Sequence, residues 1–465
     1  MRYRVILTGL LLPVLSACND SPVSNAPKGD DSSPETSVAG SYNDARNYVL
    51  EMRQGSTLQI DLGKIALPPD TNLRIEKLPQ HGDLSIVKNG STTYTLREAF
   101  SGEDRFTYSI AQQGKTQEYE VVIKVLPPTI SELEVAPWKH NSQAAYSIIH
   151  DDLCTGPFTD QVAVNKLKER NLVAGFGAIV SNCNKDDFAL MKKMESDGFE
   201  IVNHSWSHKN LTDSNTDLSV EVDKAHNTLI DHGFSVSYFA LPYDAHNETV
   251  LGKLAAAPLN YLGARAGSRK AVSVRDMDVK DPFAPFRPGY DCYDLSEIKK
   301  GDPSCSKYYE DGRAPSKILN LYLDEAIANG GWGLRELHGV GTDSSWGWIS
   351  TPEYAKHLDY VKSKVEDGQL WVANPSEVTR YWAARAYCGK PSKSGQGKFE
   401  FSSPINNPGC LKYKTDLDVI VSVPDADGIV ARQDEKDLKV EKLRGERFLV
   451  SGVDPLGRSV TLLRK

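Results

Sequence analysis

The sequence predicts a multidomain protein in which a central α/β domain lies between two smaller β-rich domains. Residues from 45 to 128 alternate apolar and polar side chains, and turn residues interrupt them at short intervals. From about 140 to 387, strand-like apolar runs such as 172–180 alternate with helical patterns such as 186–197 and Thr351–Glu366. This alternation predicts a parallel sheet or barrel. In residues 388–465 the two-residue period returns, which indicates a second small β-sandwich.

The composition is that of ordinary globular domains. The chain has 465 residues, of which 40% are hydrophobic and 25% are charged. Its formal net charge is −8, whereas a phosphate-binding surface needs an excess of basic residues. We therefore expect no nucleic-acid partner.

The N-terminus has the pattern of an export signal. Arg2 and Arg4 precede an apolar run over residues 5–15 that is too short to span a bilayer. Residues 15–18 resemble a bacterial lipobox, in which residues 1–17 are removed as a signal peptide and Cys18 is lipidated. Asn19 then points to the outer membrane if the cell is Gram-negative. An ordinary cleaved signal is the alternative. The polar residues 18–44 read as a disordered tether to the membrane.

Cysteine usage fits an exported protein. Seven cysteines are present, so six remain once Cys18 is set aside. Six cysteines allow fifteen pairings, and their even number favours disulfides. Proximity along the chain suggests three pairs: Cys292–Cys305, Cys388–Cys410 and, as the remaining pair, Cys154–Cys183. A zinc–thiolate site is the alternative, but no Cys-x-x-Cys spacing occurs.

The two β-rich regions carry no pattern of catalytic residues. Residues 94–108 resemble the immunoglobulin-like or cadherin-like repeats of secreted bacterial proteins, and this resemblance implies a spacer or adhesive module. The C-terminal region could bind carbohydrate or cap the central domain. We favour capping, because it has no cluster of exposed-looking aromatic residues.

Three polar clusters follow strand-like runs in the central region. The first ends in Asp151 and Asp152, the second contains His204 and His208, and the third ends in His338. The carboxyl ends of parallel strands meet at one edge of a sheet or barrel, where such folds keep their active sites. Each cluster alone is weak evidence for a functional site, since such residues also occur in turns and cores. Their joint order predicts one site.

The residue types suit a hydrolytic metal centre. Zinc in hydrolases takes three protein ligands and leaves a position for water, and two histidines at i and i+4 can share one turn. We therefore predict Asp152, His204 and His208 as ligands of a divalent cation, with zinc as the first choice. Asp151 would act as the base, and His338 as the acid that protonates the leaving group.

At this point the chain resembles the polysaccharide deacetylases of carbohydrate esterase family 4, the NodB-homology group. The resemblance covers about 140–385, within a catalytic domain placed at 135–387. It implies a distorted β/α barrel and assigns Asp151 as base and Asp152 as metal ligand. The family's His-Ser/Thr-x-x-His motif is matched by residues 204–208, and its Pro-aromatic pair by Pro242–Tyr243. There the backbone N–H of Tyr243 would bind the oxyanion.

Two features depart from the family pattern. The third motif often carries an arginine that orients the catalytic aspartate, but Ala240 stands there. Arg265, on the next apolar run, is the candidate replacement. The fourth motif, an Asp-Trp pair, is not visible, so the residue that orients His338 is open. Glu336 lies two positions before His338 and therefore on the same side of a strand. It is one candidate.

Four tryptophans lie near the second and third clusters: Trp206, Trp332, Trp346 and Trp348. They could form a wall on which sugar rings stack, or they could belong to the core. The sequence favours neither reading.

The resemblance implies a metal-dependent deacetylase that acts on an acetylated polysaccharide or oligosaccharide outside the cytoplasm. An N-acetylglucosamine-type glycan is the favoured substrate. The alternatives are an O-acetyl esterase on a xylan-like glycan, a hydrolase of other C–N amides, and an inactive, lipid-anchored carbohydrate-binding surface protein.

Overall fold

A computed structural model describes residues 41–43, 47–62, 72–88, 90–155, 159–266, 277–278, 280–286, 313–341, 348–402 and 404–465. Seven residues named above lie outside these ranges: Arg2, Arg4, Cys18, Asn19, Cys292, Cys305 and Trp346. Within them, no helix is both long and apolar enough to cross a bilayer.

The N-terminal region is a β-sandwich, as the alternating pattern predicted. Its strands are β1 (Ser41–Asn43), β2 (Asn47–Arg53), β3 (Thr57–Asp61), β4 (Asn72–Lys77), β5 (Gly82–Leu84), β6 (Ser91–Leu96), β7 (Gly102–Gln112) and β8 (Lys115–Leu126). One sheet has the order β1-β2-β8-β7-β4 and the other β3-β6-β5. Alternate residues such as Phe106, Tyr108, Val121 and Ile123 are buried and fill the space between the sheets.

Strand β9 (Glu132–Val135) leads into the central domain, in which strands and helices alternate. The strands are β10 (Ala144–Leu153), β11 (Gly175–Ala178), β12 (Glu200–Asn203), β13 (Tyr238–Ala240), β14 (Gly263–Arg265), β15 (Trp332–Leu337) and β16 (Leu370–Val372). The helices are α1 (Thr159–Lys168), α2 (Lys185–Ser196), α3 (Ala225–Asp231), α4 (Glu248–Ala255), α5 (Pro315–Asn329), α6 (Thr351–Glu366) and α7 (Pro375–Tyr387). A π-helical segment, Ser219–Lys224, runs directly into α3. The predicted helices at 186–197 and Thr351–Glu366 are confirmed as α2 and α6.

All pairings in the central sheet are parallel, in the order β14-β13-β12-β11-β10-β15. Strand β16 also pairs with β10, over residues 144–146 at the amino end of that strand. The predicted fold class, a distorted β/α barrel between β-rich regions, is confirmed. Because every strand runs the same way, the carboxyl ends of β10, β12, β13, β14 and β15 all meet at one rim.

Local signals explain where several elements begin and end. Helix α2 starts at Asn184, whose side chain accepts hydrogen bonds from the N–H groups of Asp186 and Asp187. Helix α5 ends at Gly330, whose φ of 62° lies in the left-handed region that glycine adopts without strain. The chain therefore turns sharply there and enters β15 two residues later.

The C-terminal region is antiparallel and includes one strand from before the central domain. Its strands are β17 (Pro391–Gly395), β18 (Lys398–Phe401), β19 (Leu417–Ser422), β20 (Ile429–Gln433), β21 (Lys436–Lys442), β22 (Arg447–Val453) and β23 (Val460–Arg464), and helix α8 (Pro408–Lys412) precedes β19. The order is β17-β18-β23-β20-β21-β22-β19-β9. Thus the segment that leads into the central domain is hydrogen-bonded to the C-terminal sheet.

One apolar core joins this C-terminal sheet to the barrel. Trp382 and Tyr381 of α7 pack with Val419 and Val450 of the sheet and with Trp332 at the start of β15. The inner face of the barrel is therefore filled with side chains below the rim, and only the rim is left for a site. The opposite face of the parallel sheet packs against helices α1 to α6.

Candidate active site

The rim of the barrel holds a cavity of about 400 Å³. Side chains of a strand alternate between its faces, so residues two apart point the same way. On β15 the row that begins with Trp332 continues to Glu336 and then to His338, just past the strand. The lining residues, from five different strand ends, are Asp151, Asp152, His204, His208, Tyr243, Asp244, Arg265, Glu336 and His338.

Asp152 and the two histidines of the second motif form a potential ligand cluster. One ligand atom from each of Asp152, His204 and His208 lies within 4.8 Å of the others. The Oδ1 atom of Asp152 is 3.5 Å from Nε2 of His204 and 3.8 Å from Nε2 of His208. Burial alone would raise the pKa of Asp152, but the nearby imidazoles, that of His204 above all, lower it to about 2. The carboxylate is therefore ionised at neutral pH.

Both imidazoles present Nε2 to this carboxylate. The Nδ1–H of buried His204 donates to the backbone carbonyl of Ala240 at 2.9 Å, so Nε2 is the ring nitrogen that faces the cluster. Burial lowers the pKa of this ring, but the charges of Asp151 and Asp152 outweigh burial and raise the pKa. Burial lowers the pKa of His208 to about 4, so its ring is neutral at pH 7. Neutral imidazole is the form that binds a metal.

The segment that carries these histidines is a loop and not a helix. Ser205 and His208 have φ values of 67° and 59°, so the expectation that the pair shares one helical turn is wrong. The Ser205 hydroxyl accepts the His208 N–H at 2.9 Å. The carboxylate of Glu221, in the π-helical segment, accepts from the Ser207 N–H at 2.9 Å and from its hydroxyl at 2.5 Å. These bonds hold the histidines in place in a loop that has no helical hydrogen bonds of its own.

Asp151 is buried beside a guanidinium. Arg265 donates from Nη2 to its Oδ2 atom, as predicted for a replacement of the missing third-motif arginine. Burial raises the pKa of Asp151 to about 7, against the opposing effect of the Arg265 charge. The Oδ1 atom of Asp151 has no hydrogen-bond partner in the part of the protein that the structure describes. This carboxylate oxygen is thus available to a ligand in the cavity.

Arg265 also contacts two further carboxylates. Its Nη1 donates to Oδ1 of Asp244 and to Oε2 of Glu336, each at 2.6 Å. The guanidinium is only 1% exposed, so these pairs are little screened by water. Asp244 was not among the residues predicted from sequence. The only signal available was its position directly after the Pro242–Tyr243 pair.

His338 completes the rim next to Asp152 of the ligand cluster. Its Nε2 lies 3.6 Å from Oε1 of Glu336 and 3.9 Å from Oδ2 of Asp152. Behind it, the Nδ1–H of His150 donates to the His338 carbonyl at 2.9 Å, and the Tyr354 hydroxyl donates to Nε2 of His150 at the same distance. Burial lowers the pKa of His150 to about 4, so this neutral tautomer persists at pH 7. His150 therefore anchors the backbone of His338.

Tyr243 stands at the mouth of the cavity. It has a φ of 56° and is 66% exposed, although it follows a buried strand. Its ring centroid lies 4.7 Å from that of His208, with the planes tilted by 54°. The left-handed backbone places this aromatic ring at the edge of the ligand cluster.

The ligand cluster fits a divalent cation. Its donors are one carboxylate and two imidazoles, a set that zinc commonly takes, and Oδ1 of Asp152 is buried without a hydrogen-bond partner among the described residues. A second group, Asp151, Glu336 and His338, also has its ligand atoms within 4.8 Å of one another. There the Arg265 guanidinium already binds both carboxylates, so a cation would meet a like charge.

The three tryptophans that the structure describes do not form a wall around this cavity. Trp332 is 2% exposed and donates its N–H to the Ser147 hydroxyl at 3.2 Å, so its assignment to sugar binding is wrong. Trp206 lies outside the cavity lining, half-buried under the Lys224 ammonium at 3.7 Å. Trp348 is 40% exposed but does not line the cavity either.

Two of the three suggested disulfides are confirmed. Cys154–Cys183 ties the loop after Asp152 to the turn that follows β11, with the Cα atoms 5.0 Å apart. Cys388–Cys410 joins the end of α7 to α8.

Two models of known protein families match parts of this chain. The family model for polysaccharide deacetylases matches residues 140–262, which include three of the five strand ends at the rim. This region is a polysaccharide deacetylase domain. The model for bacterial Ig domains matches residues 30–124, ahead of the deacetylase domain. No curated protein matches the chain.

Solved structures with similar folds are distant in sequence. A family 4 acetyl xylan esterase from Clostridium thermocellum is 16% identical, over 50% of this chain and 89% of its own, with a TM-score of 0.31. The Bc1960 peptidoglycan N-acetylglucosamine deacetylase is 18% identical, over 51% and 89%, with a TM-score of 0.33. Peptidoglycan deacetylase PdaC from Bacillus subtilis is 16% identical, over 52% and 92%, with a TM-score of 0.30.

Proposed function

We propose that the deacetylase domain hydrolyses acetyl groups from an extracytoplasmic polysaccharide or oligosaccharide. The observation that carries the proposal is that one cavity is lined by a carboxylate–imidazole ligand cluster, by the buried Asp151 carboxylate and by the further imidazole of His338. Ligands, base and acid are thereby within reach of one small acyl group.

Asp152, His204 and His208 would hold a divalent cation, for which we propose zinc. Such a cation polarises a carbonyl oxygen and lowers the pKa of water toward 7. The chain prepares these ligands in advance, because Ala240 fixes the His204 tautomer and Glu221 fixes the loop that carries His208.

Asp151 would accept the proton of the attacking water. Arg265 holds its Oδ2 atom, which leaves Oδ1 as the one of the two Asp151 oxygens without a hydrogen-bond partner among the described residues. A carboxylate fixed in this way is already oriented for proton transfer, which lowers the entropic part of the barrier.

His338 would donate a proton to the leaving group. Its Nε2 lies at the cavity, 3.6 Å from Oε1 of Glu336 and 3.9 Å from Oδ2 of Asp152. The backbone N–H of Tyr243 would donate to the oxygen that becomes negative during attack, as the family resemblance implies.

The preferred substrate is an N-acetylated glycan of the N-acetylglucosamine type. An amine is a poor leaving group unless it is protonated, and the site offers an acid for that step. An O-acetyl ester on a xylan-like glycan is the second candidate, because the same groups serve a less demanding leaving group.

Acetate release tests the proposal. The substrates are chitooligosaccharides, peptidoglycan and acetylated xylan, each with and without a chelator. We expect release that depends on the metal and is lost in Asp151→Asn. Release from xylan alone would favour the esterase. If the metal-loaded protein released no acetate from any of these glycans, an inactive carbohydrate-binding protein would be the better reading.

The location is a separate proposal that rests on the sequence alone. We propose that Cys18 carries the lipid, that residues 18–44 form the tether, and that the units 45–128, 135–387 and 388–465 follow. Metabolic labelling with a radiolabelled fatty acid should mark the wild type and not Cys18→Ser. Equal labelling of both proteins would contradict the anchor.

A further inference from the structure

The neighbouring residues Asp151 and Asp152 both line the active-site cavity. In a regular strand they would point to opposite faces, because side chains alternate. Strand β10 is irregular at this point: between His150 and Leu153 it has one residue more than the facing stretch of β11. An extra residue of this kind is a β-bulge, and bulges re-aim side chains. The bulge therefore brings both carboxylates to the cavity side.

The bulge requires an uncommon backbone conformation. Asp152 and Cys154 have φ values of 65° and 76°, in the left-handed region that residues other than glycine seldom adopt. Such conformations persist where the surrounding structure holds them. Leu153, between the two, is buried, and its carbonyl accepts the Ile179 N–H at 3.2 Å. The chain beyond Leu153 needs contacts of its own to keep Asp152 in this conformation.

Two contacts close the chain after the bulge. The Cys154–Cys183 disulfide joins it to the residue that directly follows the turn Val180–Asn182, which we call the bridging turn. The Thr155 hydroxyl donates to the Asp152 carbonyl at 2.6 Å. Both cysteines are half-buried against the core of the central domain, whereas Thr155 is exposed. A covalent bond and a hydrogen bond thus hold the backbone that follows Asp152.

The bridging turn also contacts the loop that carries the ligand histidines. Its Val180 N–H donates to the Ser205 carbonyl at 3.1 Å. Its Ser181 N–H donates to the Trp206 carbonyl at 2.8 Å. Both acceptors lie inside the second motif, between the two histidines. The bridging turn is therefore bonded to both parts of the ligand cluster, through the disulfide on the side of Asp152 and through backbone hydrogen bonds on the side of the histidines.

We propose that the Cys154–Cys183 disulfide and the Thr155 hydroxyl position Asp152 for the divalent cation, so that the folded protein binds the cation more weakly without them. The inference rests on the proposed function, which takes Asp152 as a ligand, and it adds positioning residues that act from outside the cavity. None of the three lines the cavity, so their effect passes through the backbone of Asp152. Partners one step removed from the ligands typically change metal affinity about 10- to 100-fold.

The test measures cation binding by the whole chain, without substrate. Competition with a chromophoric chelator gives the dissociation constant for Zn²⁺. The visible absorption of bound Co²⁺, which depends on the number and geometry of its ligands, is the second readout. In Cys154→Ser/Cys183→Ser we expect the Zn²⁺ constant to rise about 10- to 100-fold and the Co²⁺ spectrum to change. Circular dichroism on the same samples identifies the temperature range in which the variant is folded.

Cys388→Ser/Cys410→Ser is the matched control, because it removes a disulfide that joins α7 to α8 and not to a ligand loop. It should lose stability and keep the Zn²⁺ constant within twofold of wild type. An equal rise in both double variants would assign the effect to general loosening of the fold and would overturn the inference.

Thr155→Val decides the question if the first double variant does not fold. Thr155 is exposed, and the change removes only the hydroxyl that bonds the Asp152 carbonyl. We expect the Zn²⁺ constant to rise about three- to tenfold, the effect of one lost hydrogen bond. Ser56→Ala is its control, since Ser56 is also exposed and donates to the carbonyl three residues earlier at 2.6 Å, in the N-terminal sandwich. Equal constants in Thr155→Val and Ser56→Ala would overturn the inference.

The outcomes separate this inference from the proposed function. A folded Cys154→Ser/Cys183→Ser with the Zn²⁺ constant and Co²⁺ spectrum of wild type would overturn the positioning role and leave the deacetylase proposal intact. A wild type that binds neither cation would overturn the metal site of the proposed function, and the inference with it.

Discussion

Arg265 offers a sharp test of how the site is organised. Its two terminal nitrogens bind three carboxylates at once: Nη2 binds Asp151, and Nη1 binds Asp244 and Glu336 at 2.6 Å each. Arg265→Lys keeps the positive charge but replaces a planar fork with a single ammonium. One ammonium on a flexible stem cannot hold all three carboxylates in their present orientations.

The expected loss is large in turnover and moderate in stability. A misplacement of about 1 Å can cost on the order of 100-fold in rate, and Asp151 would lose the partner that fixes its Oδ2 atom. Removing one partner of a buried ion pair costs about 3–5 kcal/mol, and lysine should lose less because it keeps the charge. We therefore expect kcat to fall about 100-fold in a protein that still folds.

The assay is acetate release at saturating chitopentaose, with bound metal and thermal unfolding measured on the same samples. Metal content should stay at the wild-type level, because Asp152, His204 and His208 are unchanged. Arg170→Lys is the control: Arg170 is also largely buried and binds Asp359 at 2.7 Å, far from the rim. It should alter stability but not kcat. A kcat for Arg265→Lys within twofold of wild type would refute the orienting role and leave Arg265 as a charge neutraliser.

Three further predictions follow from individual contacts. In Gly177→Ala the new Cβ would lie 3.0 Å from Oδ1 of Asp151, so the carboxylate must shift by a few tenths of an ångström. We expect about a three- to tenfold loss of kcat with the unfolding temperature nearly unchanged; a wild-type kcat would contradict this. Burial lowers the pKa of His357 to about 3 in the folded protein, whereas the same imidazole in the unfolded chain takes up a proton below about pH 6.5. The free energy of unfolding should therefore decrease as the pH is lowered from about 6.5 toward 3. This group should contribute about 1.4 kcal/mol of unfolding free energy per pH unit. Denaturation at pH 7 and at pH 5 should therefore show a smaller difference in stability for His357→Gln than for wild type. Equal differences in the two proteins would exclude His357 as the cause. Replacing Cys154 and Cys183 by serine opens a loop of sequence separation 29 and should lower the free energy of unfolding by about 3.5 kcal/mol relative to oxidised wild type, measured by denaturation. With all disulfides reduced in both proteins, the difference should vanish, and a difference that remains would contradict the disulfide as its cause.

The sequence was sufficient to predict which strands end at the site and which polar residues follow them. Asp151, His204 and His338 each come directly after or within an apolar run, and parallel strands bring their carboxyl ends to one rim. Two-residue alternation then decides which neighbours share the cavity. Glu336 and His338 were placed on one side by this argument, and the structure puts their side chains 3.6 Å apart.

Counting positions along the same strand would have excluded Trp332 from the cavity. It lies on the same row of β15 as Glu336 but four residues earlier, which is about 13 Å down the strand at the usual rise. That depth is the packed interior of the barrel, where Trp332 contacts Trp382. Proximity to a motif in sequence was therefore a poor guide, because position along the strand separates rim from core.

The loop from His204 to His208 shows a limit of local patterns. Two histidines four residues apart satisfy the spacing of a helical turn, but the backbone here is set by a distant group. Glu221 is buried 14 residues beyond Ser207 and fixes the loop with its carboxylate. Nothing within the five-residue motif encodes that contact, so its conformation could not be predicted from the motif alone.

The relocated arginine has a simple geometric basis. Ala240 and Arg265 are directly paired across β13 and β14, so they stand at the same height on neighbouring strands. Adjacent strands lie about 4.8 Å apart, which a long arginine side chain can cover. The small Ala240 leaves space for that side chain, and its carbonyl still orients His204. An arginine can therefore reach the base from either strand, provided that the paired residue on the other strand is small. A search along one motif misses this exchange, because the compensating residue is a neighbour across the sheet and not along the chain.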